Sequence, residues 1–362
     1  DERLLSACKA IWENMTQRQM YITGGIGTSG FRERFTTDYD LPNATNYSET
    51  CASIGLMMFG QRLSAVTGDA GYYDSVERAL YNTVLAGINI EGDRYFYVNP
   101  LEVVPEFCTQ HTYMNHVKPI RQKWFSIACC PPNVARTLAS LGQYVYAQEG
   151  SSILIHQFIS SEVQTETKGG TTAVKMDSTL MQDGKVGIHV ESEKGCSLKI
   201  RIPAYAENWK IFSGEKEEKP EIQNGYITMV LQAGEHTVTL DLDVHPHWMA
   251  ANDQVRADAG KAALVKGPVV YCLEEVENGK LLSQVCVKPN EEVKEEPSPE
   301  GLVGNIPALT YPGTRIKNAG LGDQLYGSLE IEKEATQLTA IPYCLWNNRG
   351  EGEMLVWHRV LI

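Results

Sequence analysis

The stretch ACCPPNVARTLASLGQYVYA, residues 128–147, is where the chain changes character. Pro131 and Pro132 stand near its start, where a helix has no use for a backbone N–H, so a helix is expected to begin here. Upstream, helical patterns alternate with long polar loops. Downstream of Gly150 the segments SSILIHQFI, KVGIHVE, SLKIRIP, GYITMVLQ and HTVTLDLD alternate apolar and polar residues between Gly, Asn and Lys/Glu turns, the pattern of an antiparallel sandwich. A second β segment starts near Ala251, with AALVKG, PVVYCLE, LTAIPYC and EMLVWH as strands. Within it, EEVKEEPSPEGLVGN (291–305) reads as a solvated surface loop.

Working back to the start, Leu4, Leu5, Cys8, Ile11 and Met15 recur at helical spacing. A loop from Tyr21 to Tyr47, rich in Gly, Thr, Asn and Asp, follows; an unstructured segment of that length in a compact domain is usually functional or mobile. Helical patterns then begin at Ser48 and Tyr72. Ile54, Met57, Met58 and Leu63 make the first of these apolar on most of its circumference, which suits a helix packed among others. The expected plan is an α+β multidomain chain: a helical region over 1–147, then antiparallel β-sandwich domains over 148–250 and 251–362.

Bulk properties exclude several functions. A net charge of -13 disfavours nucleic acid, whose phosphates are bound by clustered Lys and Arg. No run of about 18 uncharged apolar residues exists to span a membrane. Nine scattered cysteines do not make a disulfide framework, which favours a reduced, cytoplasmic setting. The first residues lack the basic start and apolar run of a secretory signal.

Chemistry concentrates in the helical region. Cys129 and Cys130 lie at a helix mouth, whose positive end favours thiolates. Two adjacent thiolates repel unless a cation lies between them. Glu49 and Cys51, in SETC, complete three sulfurs and one oxygen, a set that suits tetrahedral zinc. The competing reading is structural: small buried cysteines at a helix start, with Ser48 and Glu49 capping the next helix. Glu33, in FRERF, stands between two arginines; such a glutamate is usually exposed or salt-bridged, whereas a general acid needs partial burial.

At these residues the chain resembles the β-L-arabinofuranosidases of glycoside hydrolase family 127. The resemblance rests on YITGGIG (21–27), ERFTTDYDLPN (33–43), NYSETCASIG (46–55), FYVNPLE (96–102) and ACCPPNVARTLASLGQYVYA. It continues more thinly through GPVVYCLE and NRGEGEMLVW. It implies an (α/α)6 barrel followed by β-sandwiches, and a retaining exo-glycosidase acting on terminal β-L-arabinofuranosyl groups of an oligosaccharide or glycoconjugate. On matching positions Cys129 is the nucleophile and Glu33 the acid/base. Zinc is held by Glu49, Cys51, Cys129 and Cys130, and Tyr97 lies near the sugar.

Such a barrel needs roughly twelve helices, whereas 147 residues hold about five. The expectation is therefore a partial (α/α)6 barrel with its metal and catalytic residues but an incomplete sugar pocket, working as a homodimer or with a complementing N-terminal fragment. Rival readings are a zinc-stabilised non-catalytic fragment that is structural or binds carbohydrate, a glycosidase for another sugar, and, least favoured, a thiol redox protein, since CxxC is absent. His245 and His247 are read as turn or interface residues, and Tyr343, Trp346 and Trp357 as core.

Overall fold

The structure, a computed structural model, describes residues 1–167, 170–304 and 306–361. Helix α1 (Glu2–Arg18) starts on Asp1, whose carboxylate accepts the N–H of Arg3 at 2.9 Å. It buries Trp12 and Met15 and packs Leu5 and Cys8 against the same core, so most of the apolar stripe read from the sequence faces inward while Leu4 and Ile11 stay exposed. The reason lies in its neighbour α2 (Thr50–Thr67). Gly60 of α2 leaves room for the Trp12 ring, and a Cβ there would stand 2.6 Å from that ring and from Val76. Helix α3 (Tyr72–Ala79) packs on α2 and runs on as a π-helical turn over Leu80–Val84. Helix α4 (Cys130–Ala139) closes the same core through Val134, against Ile54, Met57, Tyr73 and Val76.

The helix expected over the diagnostic stretch is shorter than its apolar pattern. The Ser140 hydroxyl turns back to the Arg136 carbonyl at 2.8 Å, helix resumes briefly at Gly142–Val145, and Tyr146–Glu149 is already strand. That strand opens a four-stranded sheet with Ser152–Ile155, Cys196–Arg201 and Tyr226–Leu231. A six-stranded sheet follows the order Ser161–Thr167, Gly170–Thr179, Lys185–Ser192, Gly234–Leu242, Trp209–Ser213, Lys216–Glu218. Ile155, Ile200 and Ile227 of the first sheet and Met176, Ile188 and Val238 of the second share one core.

The last unit departs from the expected second sandwich: its sheet closes into a six-stranded barrel. Lys261–Lys266, Val269–Glu274, Ile331–Pro342, Ala308–Asn318, Val285–Val287 and Trp357–Val360 pair in that order, and Trp357–Val360 returns to Lys261–Lys266. Closure depends on a parallel pairing, Cys286 with Arg359 and Val287 with Val360, between segments some seventy positions apart. The charged loop over 291–305 is part strand, because Lys294–Glu296 pairs with Ala308–Thr310; Asn305 lies outside the described residues.

The barrel's sheet reaches back into the rest of the chain. Pro246–Met249 joins it ahead of the expected start at Ala251, and Glu102–Val103 of the helical region pairs with Met354–Leu355. Phe96, Tyr97, Val98 and Leu101 share a core with Val265, Val270 and Trp346. Tyr343, Trp346 and Trp357 are buried, as read from the sequence. Arg201, buried in the first β unit, meets Glu77 at 2.5 Å and Asp74 at 3.1 Å on α3. All nine cysteines are free. Among the described residues no helix is long and apolar enough to cross a membrane.

Candidate active site and metal centre

A frame of buried amides fixes the chain around Glu49. Asn46 Nδ2 donates to Ser48 Oγ and to the Asn99 carbonyl, each at 3.0 Å. Asn99 Nδ2 donates to the Ser48 carbonyl and to Thr50 Oγ1, each at 2.9 Å. The Thr50 N–H donates to the Tyr97 carbonyl at 3.1 Å, and Glu49 bridges to Val98. Within this frame Ser48 takes φ 41°, a left-handed conformation that non-glycine residues seldom adopt and that surrounding bonds must hold.

Glu49 occupies the N-cap position of α2 but makes no side-chain capping bond, and Ser48 Oγ accepts from Asn46 instead. The capping reading is thereby corrected: the amide frame sets the backbone, and the Glu49 carboxylate turns towards sulfur. Cys51 lies in the first turn of α2, Cys129 is the N-cap of α4 and Cys130 is its first residue. Two helix N-termini converge on one cluster.

Cys51 Sγ lies 3.6 Å from Cys130 Sγ, and Cys130 Sγ lies 3.7 Å from Cys129 Sγ. Glu49 Oε1 is 3.4 Å from Cys129 Sγ and 3.9 Å from Cys130 Sγ. All four donor atoms fall within 4.8 Å of one another, a group able to hold a metal ion. Cys130 is fully buried, whereas Cys129 is exposed.

The electrostatics refine the expectation that the helix mouth favours two thiolates. Cys51 is drawn down to about 7, chiefly because Cys130 donates a hydrogen bond to it. Cys130 is pushed up by that same bond and then by burial, and Cys129 is pushed up mainly by burial. Burial also lifts the Glu49 carboxyl above its ordinary range. The protein alone thus favours one thiolate, at Cys51. Ionising all four groups together requires a cation among them.

Tyr97 joins this cluster to Glu33. Its hydroxyl lies 3.5 Å from Cys129 Sγ and 3.4 Å from Glu33 Oε1, and burial holds it firmly protonated. Tyr47 donates to the same Glu33 oxygen at 3.0 Å and packs edge-on against the Tyr97 ring, centroids 5.9 Å apart. Glu33 itself is exposed, at φ 48°, so this chain alone does not give it the partial burial expected of a general acid; Tyr47 and Tyr97 are its side-chain hydrogen-bond partners. Its arginine neighbours form no ion pair with it among the described residues; Arg32 and Arg34 instead lie over the Phe31 ring at 5.3 and 5.2 Å. The structure therefore brings all six residues singled out in the sequence to one place. Tyr47 is the participant that sequence reasoning missed: it sits two residues before Glu49, but only the fold aims its phenol at Glu33.

Comparisons with known proteins agree with this geometry. Residues 1–143 match the family model "Beta-L-arabinofuranosidase, GH127 catalytic domain", residues 152–244 the corresponding middle domain, and residues 246–359 the glycoside hydrolase family 127 C-terminal domain. The chain is 34% identical over 375 aligned residues to a non-reducing end β-L-arabinofuranosidase of Bifidobacterium longum, covering 99% of this chain and 56% of that protein. It superposes on Ara127N-Se, a GH127 β-L-arabinofuranosidase from Geobacillus stearothermophilus T6, with a TM-score of 0.94 at 40% identity, covering 100% of this chain and 57% of that one. Against the GH127 β-arabinofuranosidase BT3674 the TM-score is 0.86 at 28% identity, over 97% and 55% of the two chains. The chain thus spans little more than half the length of these relatives.

Proposed function

Because this chain belongs to glycoside hydrolase family 127, we propose that its helical region carries the catalytic and metal-binding residues of a retaining exo-glycosidase that releases terminal β-L-arabinofuranosyl groups from oligosaccharides or glycoconjugates. The observation that carries this reading is Tyr97, whose hydroxyl touches both Cys129 Sγ and Glu33 Oε1. Those two contacts keep the pair within about 7 Å, and retaining glycosidases set their two reacting groups about 5–5.5 Å apart.

Glu49, Cys51, Cys129 and Cys130 fit zinc. Bond lengths of about 2.3 Å to sulfur and about 2.0–2.2 Å to oxygen give tetrahedral edges of about 3.8 Å between sulfurs and about 3.5 Å from sulfur to oxygen. The observed separations are 3.6 and 3.7 Å, and 3.4 and 3.9 Å. When bound, zinc would keep the thiols deprotonated and stabilise the thiolate that leaves in the second step.

The exposed sulfur of Cys129 is the one a sugar can reach. It attacks the anomeric carbon as Glu33 passes its proton to the departing glycosidic oxygen. Glu33, now a carboxylate, takes a proton from water; that water forms the new bond to the anomeric carbon and the carbon–sulfur bond breaks. Tyr97 and Tyr47 hold Glu33 by hydrogen bonds while Tyr97 also orients Cys129. We read α1–α4 as an arc of an (α/α)6 barrel whose sugar pocket this chain does not complete by itself. A second copy or a complementing N-terminal fragment would supply the rest.

The test is covalent trapping. An arabinofuranosyl-configured epoxide, followed by peptide mass mapping, is expected to label Cys129 in zinc-loaded protein. Intact protein that binds zinc at this cluster but takes no label would support the non-catalytic reading instead. Kinetics on aryl β-L-arabinofuranoside check the incomplete pocket: turnover by the isolated chain should fall well below that of a full-length relative.

A further inference from the structure

A second place in the molecule has unspent binding capacity and shares no residue with the cysteine cluster. Arg78, on α3, is half buried where the helical region meets both β units. Its neighbours Asp74 and Glu77 aim their carboxylates at Arg201, at 3.1 and 2.5 Å. No nitrogen of the Arg78 guanidinium makes a hydrogen bond or ion pair among the described residues, and none is sealed from solvent. Arg78 and Met249 form the wall shared by two cavities, of about 410 Å³ and about 170 Å³. His245, His247, Asp74 and Glu207 line the larger; Arg18, Asp258 and Trp357 line the smaller. Burial draws the Arg78 guanidinium below its usual range, against the opposing pull of the Asp74 and Glu77 carboxylates.

We infer that this cleft is a binding site for a hydroxylated small carboxylate of monosaccharide size, such as a sugar acid, held by Arg78. The guanidinium fork matches a carboxylate in two parallel hydrogen bonds, and it sits in a cleft rather than on an open face. The imidazoles of exposed His245 and half-buried His247 line the larger cavity beside it. On the smaller side the Asp258 carboxylate offers an acceptor to ligand hydroxyls, with its Oδ1 already taking the Asn43 amide at 2.7 Å. Trp357 supplies an apolar wall. A purely electrostatic role for Arg78, balancing Asp74 and Glu77 together with Arg201, would need the charge but not the fork.

Titration calorimetry of the full chain with D-glucuronate, with D-glucose as the neutral control, tests this. Saturable binding of glucuronate at a single site, and much weaker binding of glucose, are expected. Both Arg78→Lys and Arg78→Gln should lower glucuronate affinity by about ten-fold or more, the effect of losing a charge-assisted pair. Thermal melting run alongside identifies a variant that fails to fold. In that event Met249→Trp, which fills the cleft where the two cavities meet, should abolish binding in a folded chain. Absence of saturable glucuronate binding, or unchanged affinity in folded Arg78→Lys, Arg78→Gln or Met249→Trp, overturns the assignment.

Discussion

Cys129 and Cys130 are adjacent in sequence and opposite in environment. One is exposed beside Tyr97; the other is fully buried between Cys51 and Glu49. Their substitutions should therefore separate two properties. If the cluster holds zinc as proposed, Cys130→Ser, which replaces its buried sulfur, should lose most of the metal affinity. Cys129→Ser should retain more metal yet take no electrophile label. Elemental analysis beside mass mapping reads both, and equal zinc loss in the two variants would contradict this division. Asp258 offers a second test at this scale. Burial raises its carboxyl to about 6, from an ordinary value of 3.8. The folded state then holds the proton more tightly than the unfolded chain, so this contribution to stability is complete below about pH 4 and is lost as pH rises through about 6. Asp258→Asn keeps an acceptor for Asn43 and cannot ionise. Relative to the wild type it should gain on the order of 2–3 kcal/mol between pH 4 and pH 7, read from urea midpoints. Such roles were only partly legible in sequence. Cys129, Cys130, Cys51 and Glu49 were conspicuous because their residue types imply a ligand set. Tyr47 was not, since a phenol acquires its function from what the fold places opposite it.

At the scale of elements, the sequence pattern predicted where helices lie better than which side they bury. Of the α1 residues that recur at helical spacing, Leu5, Cys8 and Met15 face the core as the pattern implies, Leu4 and Ile11 do not, and Trp12, outside the pattern, meets α2. Periodicity finds an apolar stripe; the partner helix selects the face, and here a single glycine makes the selection possible. Gly60→Ala would set a methyl 2.6 Å from both Trp12 and Val76. It should destabilise the chain by about 1–3 kcal/mol despite the better helix propensity of alanine, measured by chemical denaturation. A smaller cost for Gly60→Ala in a Val76→Ala background than in the wild type would confirm that part of the cost is steric. Strands followed a similar rule. Their alternation was readable, but the parallel pairing of Val285–Val287 with Trp357–Val360 that closes the barrel joins segments far apart, which no local pattern encodes.

For the molecule as a whole, the contact between α3 and the first β unit rests on charges withdrawn from water. Arg201 is 1% exposed and Glu77 is fully buried, with Asp74 alongside. Arg201→Ala would leave a carboxylate buried without its partner, at a cost of about 3–5 kcal/mol. The double replacement Arg201→Met with Glu77→Leu should recover much of that loss, and calorimetric melting of the two variants decides the matter. Beside this pair His156 stacks on Tyr73 at 4.1 Å and is drawn down to about 3 by burial. Its depressed value means that its contribution is complete above about pH 6.5 and is lost as the pH falls towards 3. Acid should therefore loosen this junction, and His156→Phe should shift the acid-unfolding midpoint to lower pH.

The two-residue strand Glu102–Val103, which lies only five positions beyond Tyr97, is hydrogen-bonded into the C-terminal sheet. In evolutionary terms, this makes the last unit a poor candidate for recombination. Swapping it for the ending of another member of the family would tear the seam that steadies the tyrosine, so inheritance should favour exchanging loops around the centre over trading whole modules.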